Sequence, residues 1–188
     1  MLLHGPHALS AFKVRQLLQL LAPHFPSLTA IEARYLHYVD VSAPLSASQR
    51  RTLAALLDYG AASAESMGNS DSQTREHNPA WCADFVVVPR PGTISPWSSK
   101  ATDIVRGCGL TTVRRVERGI AWRFIGLDSV DAAELNRYAP IFDKMTEAPF
   151  TDLDIGATLF ATDAPRPLVH IGSVASLDAD LLSANAEL

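Results

Sequence analysis

Two segments of this chain, 28–41 and 111–125, read as strands well beyond the usual length of about five or six residues, and they narrow the folds open to it. Leu28 to Val41 is rich in Ile, Tyr and Val, with Glu32 and Arg34 among them. Thr111 to Ile125 carries Val113, Val116, Ile120, Trp122 and Phe124, and Arg114, Arg115, Glu117 and Arg118 alternate through it so that one face is expected to be solvated. Strands of β-branched and aromatic residues must bury a face, and helical patterns lie between them. The expectation is an α+β sandwich: an antiparallel sheet with helices on one face, built as two halves.

The first half opens with the apolar Met1 to His4 and a Gly5-Pro6 breaker. Ser10 is placed to cap a helix over Ala11 to Leu21, where Phe12, Leu17, Leu18, Leu20 and Leu21 approach helical spacing and Pro23 and Pro26 end the pattern. Ser46 or Ser48 caps a second helix running to Leu57, closed by Gly60. Residues 61–83 are mostly small and polar and read as a flexible loop. The second half resumes with a short strand, Asp84 to Val88. A helix follows from about Ser98 to Arg106, capped by Ser95 or Ser98 and stopped by Gly107 and Gly109. Asp128 or Ser129 starts the last helical region, through Tyr138, and Asp143 and Glu147 are expected four apart on a helix beyond Pro140. The first domain is drawn as 1–150. The stretch 151–188 reads as a linker and the cut-off start of a following domain, with Ala164-Pro165-Arg166-Pro167 as linker and Asp178 to Leu188 as a nascent helix.

Charge and cysteine content set further bounds. A net charge of −4 over 188 residues does not point to a protein that grips nucleic acid through phosphates. Cys82 and Cys108 form no C-x-x-C pair and have no histidine at zinc-finger spacing; free thiols fit a reducing, cytoplasmic setting. The N-terminus lacks the pattern of a signal peptide, and no apolar run approaches the roughly 20 residues of a membrane span. His4 and His7 straddle Gly5-Pro6 and cannot form a helical metal pair, and His37 reads as a structural histidine beside tyrosines. No metal site is expected. Glu117 reads as one partner of a cross-strand ion pair on a solvated face. Neither cysteine sits in a nucleophile elbow, and no full catalytic constellation emerges. The chain reads as a module without catalytic residues of its own.

The run 89-PRPGTISPWSSKATDI-104 carries the most chemistry. A strand, a turn with Gly92, and a helix start among Thr93, Ser95, Ser98, Ser99 and Thr102 form the geometry in which free backbone N–H groups meet anions. It is not a Walker A loop, because no second glycine precedes Lys100. The plainer reading is a well-capped strand-to-helix corner anchored by Trp97.

This run, with Cys108-Gly109 and 113-VRRVERG-119 after it, resembles the N-terminal region of the large, single-chain phosphoribosylformylglycinamidine synthases. So do 4-HGPHALSAFKVRQLL-18, 34-RYLHYVDVSAPLS-46, Leu56-Leu57-Asp58-Tyr59-Gly60 and 142-FDKMTE-147. The resemblance covers residues 1 to about 150. It implies a fold like a dimer of the small separate subunit found in multi-subunit versions of that enzyme. It also implies a parent ligase of purine synthesis that converts formylglycinamide ribonucleotide to its amidine with ATP, magnesium and glutamine. The implied partners are the synthetase and glutaminase portions of that parent.

The ATP, magnesium and glutaminase motifs are not in these residues, so ATP and magnesium are expected in the parent, with no cofactor and no catalytic residue here. What transfers is a contact role, interdomain or substrate-side, for Pro91, Gly92, Thr93, Ser95, Trp97, Ser98, Ser99, Lys100 and Asp103. A domain separated from such a parent is expected to expose an apolar face open to self-association. Two other readings stand beside this one: a free-standing binding subunit of a separate synthetase, and an unrelated anion-binding α+β domain using the Gly92 loop.

Overall fold

The computed structural model describes residues 1–59 and 82–161. The 61–83 loop and the linker features beyond 161 therefore fall almost entirely outside the described residues. Ten elements follow in order: β1 Leu2–His7, α1 Ala11–Leu21, β2 Ala30–Val41, α2 Ala47–Leu56, β3 Phe85–Pro89, α3 Pro96–Gly107, β4 Val113–Ile125, α4 Ala132–Tyr138, β5 Glu147–Phe150 and α5 Gly156–Phe160. The five strands form one sheet in the order β1-β2-β4-β3-β5, antiparallel at every pairing. This is the α+β architecture expected from the sequence. The two long strands pair with each other along nearly their whole length, from Ala30 opposite Ile125 to Val41 opposite Val113, which places the most apolar strands at the centre.

The halves β1-α1-β2-α2 and β3-α3-β4-α4 repeat one order of elements, although the outer pairings, Leu2 with Tyr38 and Val87 with Ile120, differ in register. N-caps Ser10 and Ser46 of α1 and α2 are separated by as many residues as N-caps Ser95 and Asp131 of α3 and α4. The shift that carries Ser10 onto Ser95 also carries Tyr35 onto Ile120, and those two residues face each other across the β2–β4 seam.

Strand alternation sends every second side chain to one face. On the first face, Leu17 and Leu21 of α1 and Ala132 and Leu135 of α4 cover Ile31, Ala33, Phe85, Trp122 and Phe124. Towards the other end of the same face, Leu53 of α2 and Val105 of α3 cover Val39, Val113 and Val116. Four helices thus lie on one face, as expected. α5 departs from that layer: Ile155 and Leu159 pack against Leu36, Tyr38, Val86, Val88 and Ala121 on the opposite face. Apolar side chains of 151–160 are therefore folded onto the sheet, beyond the boundary drawn at 150, because the second face of the central strands is apolar too and needs cover.

Three local readings change. Leu2–His7 is a strand through Gly5-Pro6, with a register shift between His4 and His7; at a sheet edge, proline and an irregularity are tolerated. The helix expected from Asp128 or Ser129 is α4, which starts at Ala132 with Asp131 as its cap. Asp143 and Glu147 do not share a helix. Asp143 closes a turn by accepting from the Met145 N–H at 2.8 Å and the Thr146 hydroxyl at 3.0 Å, and Glu147 begins β5. Those bonds, with Met145 first, hold the Asp143 carboxyl below its ordinary value. No helix among the described residues is long and apolar enough to cross a membrane.

Gly126 ends β4 with φ +101°, and a Cβ there would run into the carbonyl oxygen of Ser27. Gly126→Ala combines a positive φ with a backbone collision. It should cost at least about 2 kcal/mol, read as a lower midpoint in chemical denaturation with an unchanged slope. A midpoint equal to wild type would show that the turn relaxes freely.

Candidate functional site

The corner that joins β3 to α3 is built from its own hydroxyls. Gly92, at φ +81°, turns the chain after Pro89, and the Thr93 hydroxyl donates to the Arg90 carbonyl at 2.6 Å. Ser95 is the N-cap: its Oγ accepts from the Ser98 N–H at 3.0 Å, and Pro96 supplies the preset first helical residue. β3 pairs with β4 only between Val87–Ile120 and Phe85–Trp122, so β4 runs on towards Val113 without that strand neighbour. α3 substitutes for it. Ser98 Oγ donates to the Val116 carbonyl at 2.6 Å and Thr102 Oγ1 accepts from the Val116 N–H at 3.0 Å, so two hydroxyls one helical turn apart satisfy both backbone groups of one strand residue. Arg106 continues the edge by donating to the carbonyls of Val113 and Arg114 at 3.0 and 2.7 Å.

Glu117 closes the corner from below. It is fully buried. Its carboxylate accepts from Ser95 Oγ at 2.6 Å, Arg115 Nη2 at 2.8 Å and the Arg118 backbone N–H at 3.0 Å, with the Ser95 N–H at 3.4 Å. Arg115 in turn donates to the Thr93 carbonyl at 2.7 Å and to Ser98 Oγ at 3.2 Å, and its guanidinium lies 5.3 Å from the centroid of the Phe160 ring. The expected solvated, cross-strand ion pair is thus corrected on both points. The partner is two residues away on the same strand, and the pair is enclosed by the 93–95 turn and α5. The Glu117 carboxylate thus meets α3 at its N-cap residue, Ser95, and that anion belongs to the chain.

Above the corner, on the helix-bearing face, Trp97 joins an aromatic cluster around Arg118. The Arg118 guanidinium carbon sits 4.5 Å from the Tyr35 ring centroid, 4.8 Å from Trp97 and 5.8 Å from Tyr59, and its Nη1 donates to the Tyr59 hydroxyl at 3.2 Å. The same hydroxyl lies 2.8 Å from His37 Nε2. Burial, helped by the Arg118 charge, pushes the His37 pKa down to about 4, so the imidazole is neutral at neutral pH. Its Nδ1 is buried without a partner. Burial pushes the Tyr59 phenol up, opposed by its bond to Arg118. The reading of His37 as structural agrees with this setting.

The nine residues singled out from the sequence therefore divide. Ser95 and Ser98 are consumed by internal hydrogen bonds, Trp97 faces the cluster, and Pro91 is half-buried. Gly92, Thr93, Ser99, Lys100 and Asp103 are exposed, together with Ile94 at 64% and Ile104 at 52%. Ile94, Ile104, Arg115, Glu117, Arg118, Tyr35 and Tyr59 escaped the sequence-based selection. The dense charge of 113-VRRVERG-119 inside an otherwise apolar strand was the signal for three of them. Both cysteines are free and exposed. Among the described residues no group of three or more His, Cys, Asp or Glu is placed to hold a metal ion. With Glu117 against the α3 N-terminus, the corner does not fit a nucleotide phosphate with its magnesium.

A family model described as formylglycinamide ribonucleotide amidotransferase N-terminal matches residues 34–160. That span is more than half of the chain. The chain belongs to this family. It is the N-terminal domain of a formylglycinamide ribonucleotide amidotransferase, which ties it to purine biosynthesis and sets aside the reading as an unrelated anion-binding domain. The amidotransferase match runs from β2 through α5, so it includes the α3 corner, the Glu117 network and the Arg118 cluster.

Proposed function

We propose that this domain serves the amidotransferase as an assembly and coupling element, without catalytic residues of its own. The parent reaction is the ATP- and glutamine-dependent conversion of formylglycinamide ribonucleotide to its amidine in the cytoplasm. In this reading ATP and magnesium bind in the synthetase portion, ammonia comes from the glutaminase portion, and the α3 corner is the surface this domain offers to them. One observation carries the reading: Ile94, Lys100 and Ile104 are all exposed along the 94–104 segment, which is braced from behind by the Ser98, Thr102 and Glu117 hydrogen bonds. Apolar side chains held rigidly at a surface lose little entropy when another domain covers them. The contact set is then Pro91, Gly92, Thr93, Ser99, Lys100 and Asp103 on the outside, with Ser95, Trp97 and Ser98 setting the shape beneath.

The test is the double substitution Lys100→Glu with Ile104→Asp in the complete amidotransferase. Both side chains point away from the core, so the stability of the 188-residue chain should change by no more than about 0.5 kcal/mol per site. Glutamine-dependent turnover is expected to fall at least about tenfold, a loss of about 1.4 kcal/mol, while turnover with free ammonia changes far less. Unchanged glutamine-dependent turnover in a folded double variant would overturn the proposal. A 188-residue chain that co-purifies with a separate synthetase would instead favour the free-standing subunit.

A further inference from the structure

Arg118 is solvated unlike its neighbours. Arg114 forms a forked ion pair with Asp40 at 2.8 and 2.9 Å, and Arg115 pairs with Glu117. The Arg118 guanidinium has aromatic rings and one phenol as its partners among the described residues. Its Nη1 is committed to Tyr59, whereas Nε and Nη2 donate to no described residue and are not among the buried unpartnered atoms. A half-buried guanidinium is costly to leave without a counter-charge.

The rings do more than cover it. Tyr35 and Trp97, 4.5 and 4.8 Å from the guanidinium carbon, restrict its movement before any ligand arrives, so little freedom remains to be lost on binding. The Nε–Nη2 edge, which donates to no described residue, presents two parallel N–H groups, the fork that a carboxylate accepts side-on. A phosphate would fit the fork but commonly draws on several cations or backbone N–H groups, and this edge belongs to a single guanidinium in an aromatic setting. We propose that the Nε–Nη2 edge of Arg118 is the docking point for a side-chain carboxylate from another domain of the amidotransferase. This rests on the assembly role proposed above and names the chemistry of its partner.

Arginine-specific labelling with phenylglyoxal, read by peptide mass mapping, tests it on the 188-residue chain and on the complete amidotransferase. Arg118 should react in the chain alone and at least tenfold more slowly in the complete enzyme. Equal rates in both, or an Arg118 that is unreactive in the chain alone, would overturn the proposal. Protection of the chain by inorganic phosphate at millimolar concentration would also overturn it, in favour of a small phosphate ligand. In the complete enzyme Arg118→Lys, which keeps the charge and loses the fork, should reproduce the loss of glutamine-dependent turnover. Full coupling in a folded Arg118→Lys enzyme would count against the docking role. A long chain carrying this domain with no glutamine-dependent amidation at all would defeat the assembly reading itself, an outcome distinct from unprotected Arg118 in an active enzyme.

Discussion

Glu117→Ala is expected to lower the stability of the chain by about 3–5 kcal/mol, the scale for removing one partner of a buried ion pair. The carboxylate is fully buried, and Arg115 is largely so, at 18% side-chain exposure. Its loss removes the counter-charge of Arg115 and takes an acceptor from the Ser95 hydroxyl and the Arg118 backbone N–H together. A domain with a total stability of roughly 5–15 kcal/mol would lose a large fraction of it. Glu117→Gln keeps an acceptor oxygen and should cost less, while Ser95→Ala, which removes the α3 cap and one hydrogen bond to the carboxylate, should cost about 1–2 kcal/mol. Urea denaturation of the three variants provides the ordering. If Glu117→Ala lost less than about 1 kcal/mol, the burial described for this pair would be wrong.

Acid should destabilise the fold through His37. Its folded pKa of about 4 lies below the ordinary 6.5 because burial and the Arg118 charge disfavour the imidazolium. The unfolded chain therefore binds the proton first as pH falls. Stability is fully present above pH 6.5, declines between 6.5 and about 4, and loses no more from this group below that. At 1.36 kcal/mol per pKa unit the loss is about 3 kcal/mol. Denaturation midpoints of wild type and His37→Gln, measured at pH 7, 6, 5 and 4.5, isolate the group. The variant starts less stable, since the contact with Tyr59 is altered, and the gap should close as pH falls. Parallel pH dependences in the two proteins would remove His37 from this role.

The long strands, the capping serines and the α3 corner were legible because each depends on neighbours in the chain. Ser10, Ser46 and Ser95 cap helices by accepting from an N–H three residues on, and spacing of that kind is written in the sequence. The strand through Gly5-Pro6 was not legible, because its pairing with β2 outweighs the local breaker signal. The α5 layer escaped for a related reason. Ile155 and Leu159 are two apolar residues in a short polar stretch, and only the bare second face of the sheet gives them a place to go.

The residues around Glu117 show where the division falls. Alternation in 113-VRRVERG-119 determines which side chains share a face of β4, and from the sequence alone that face looks wet. Whether water reaches it depends on where β3 stops pairing and where α3 returns, and both are matters of long-range geometry. The sequence by itself determined the two long central strands, the serine-capped helices, the family to which the chain belongs and the chemical character of the corner. The tertiary structure alone decided that Ser95 and Ser98 turn inward while Lys100 turns outward, that Glu117 is enclosed, and that the Arg118 guanidinium meets three rings and no described carboxylate. Propensity and capping act over a few residues, whereas burial and counter-charge depend on segments brought together from β2, α2, α3 and β4, far apart along the chain.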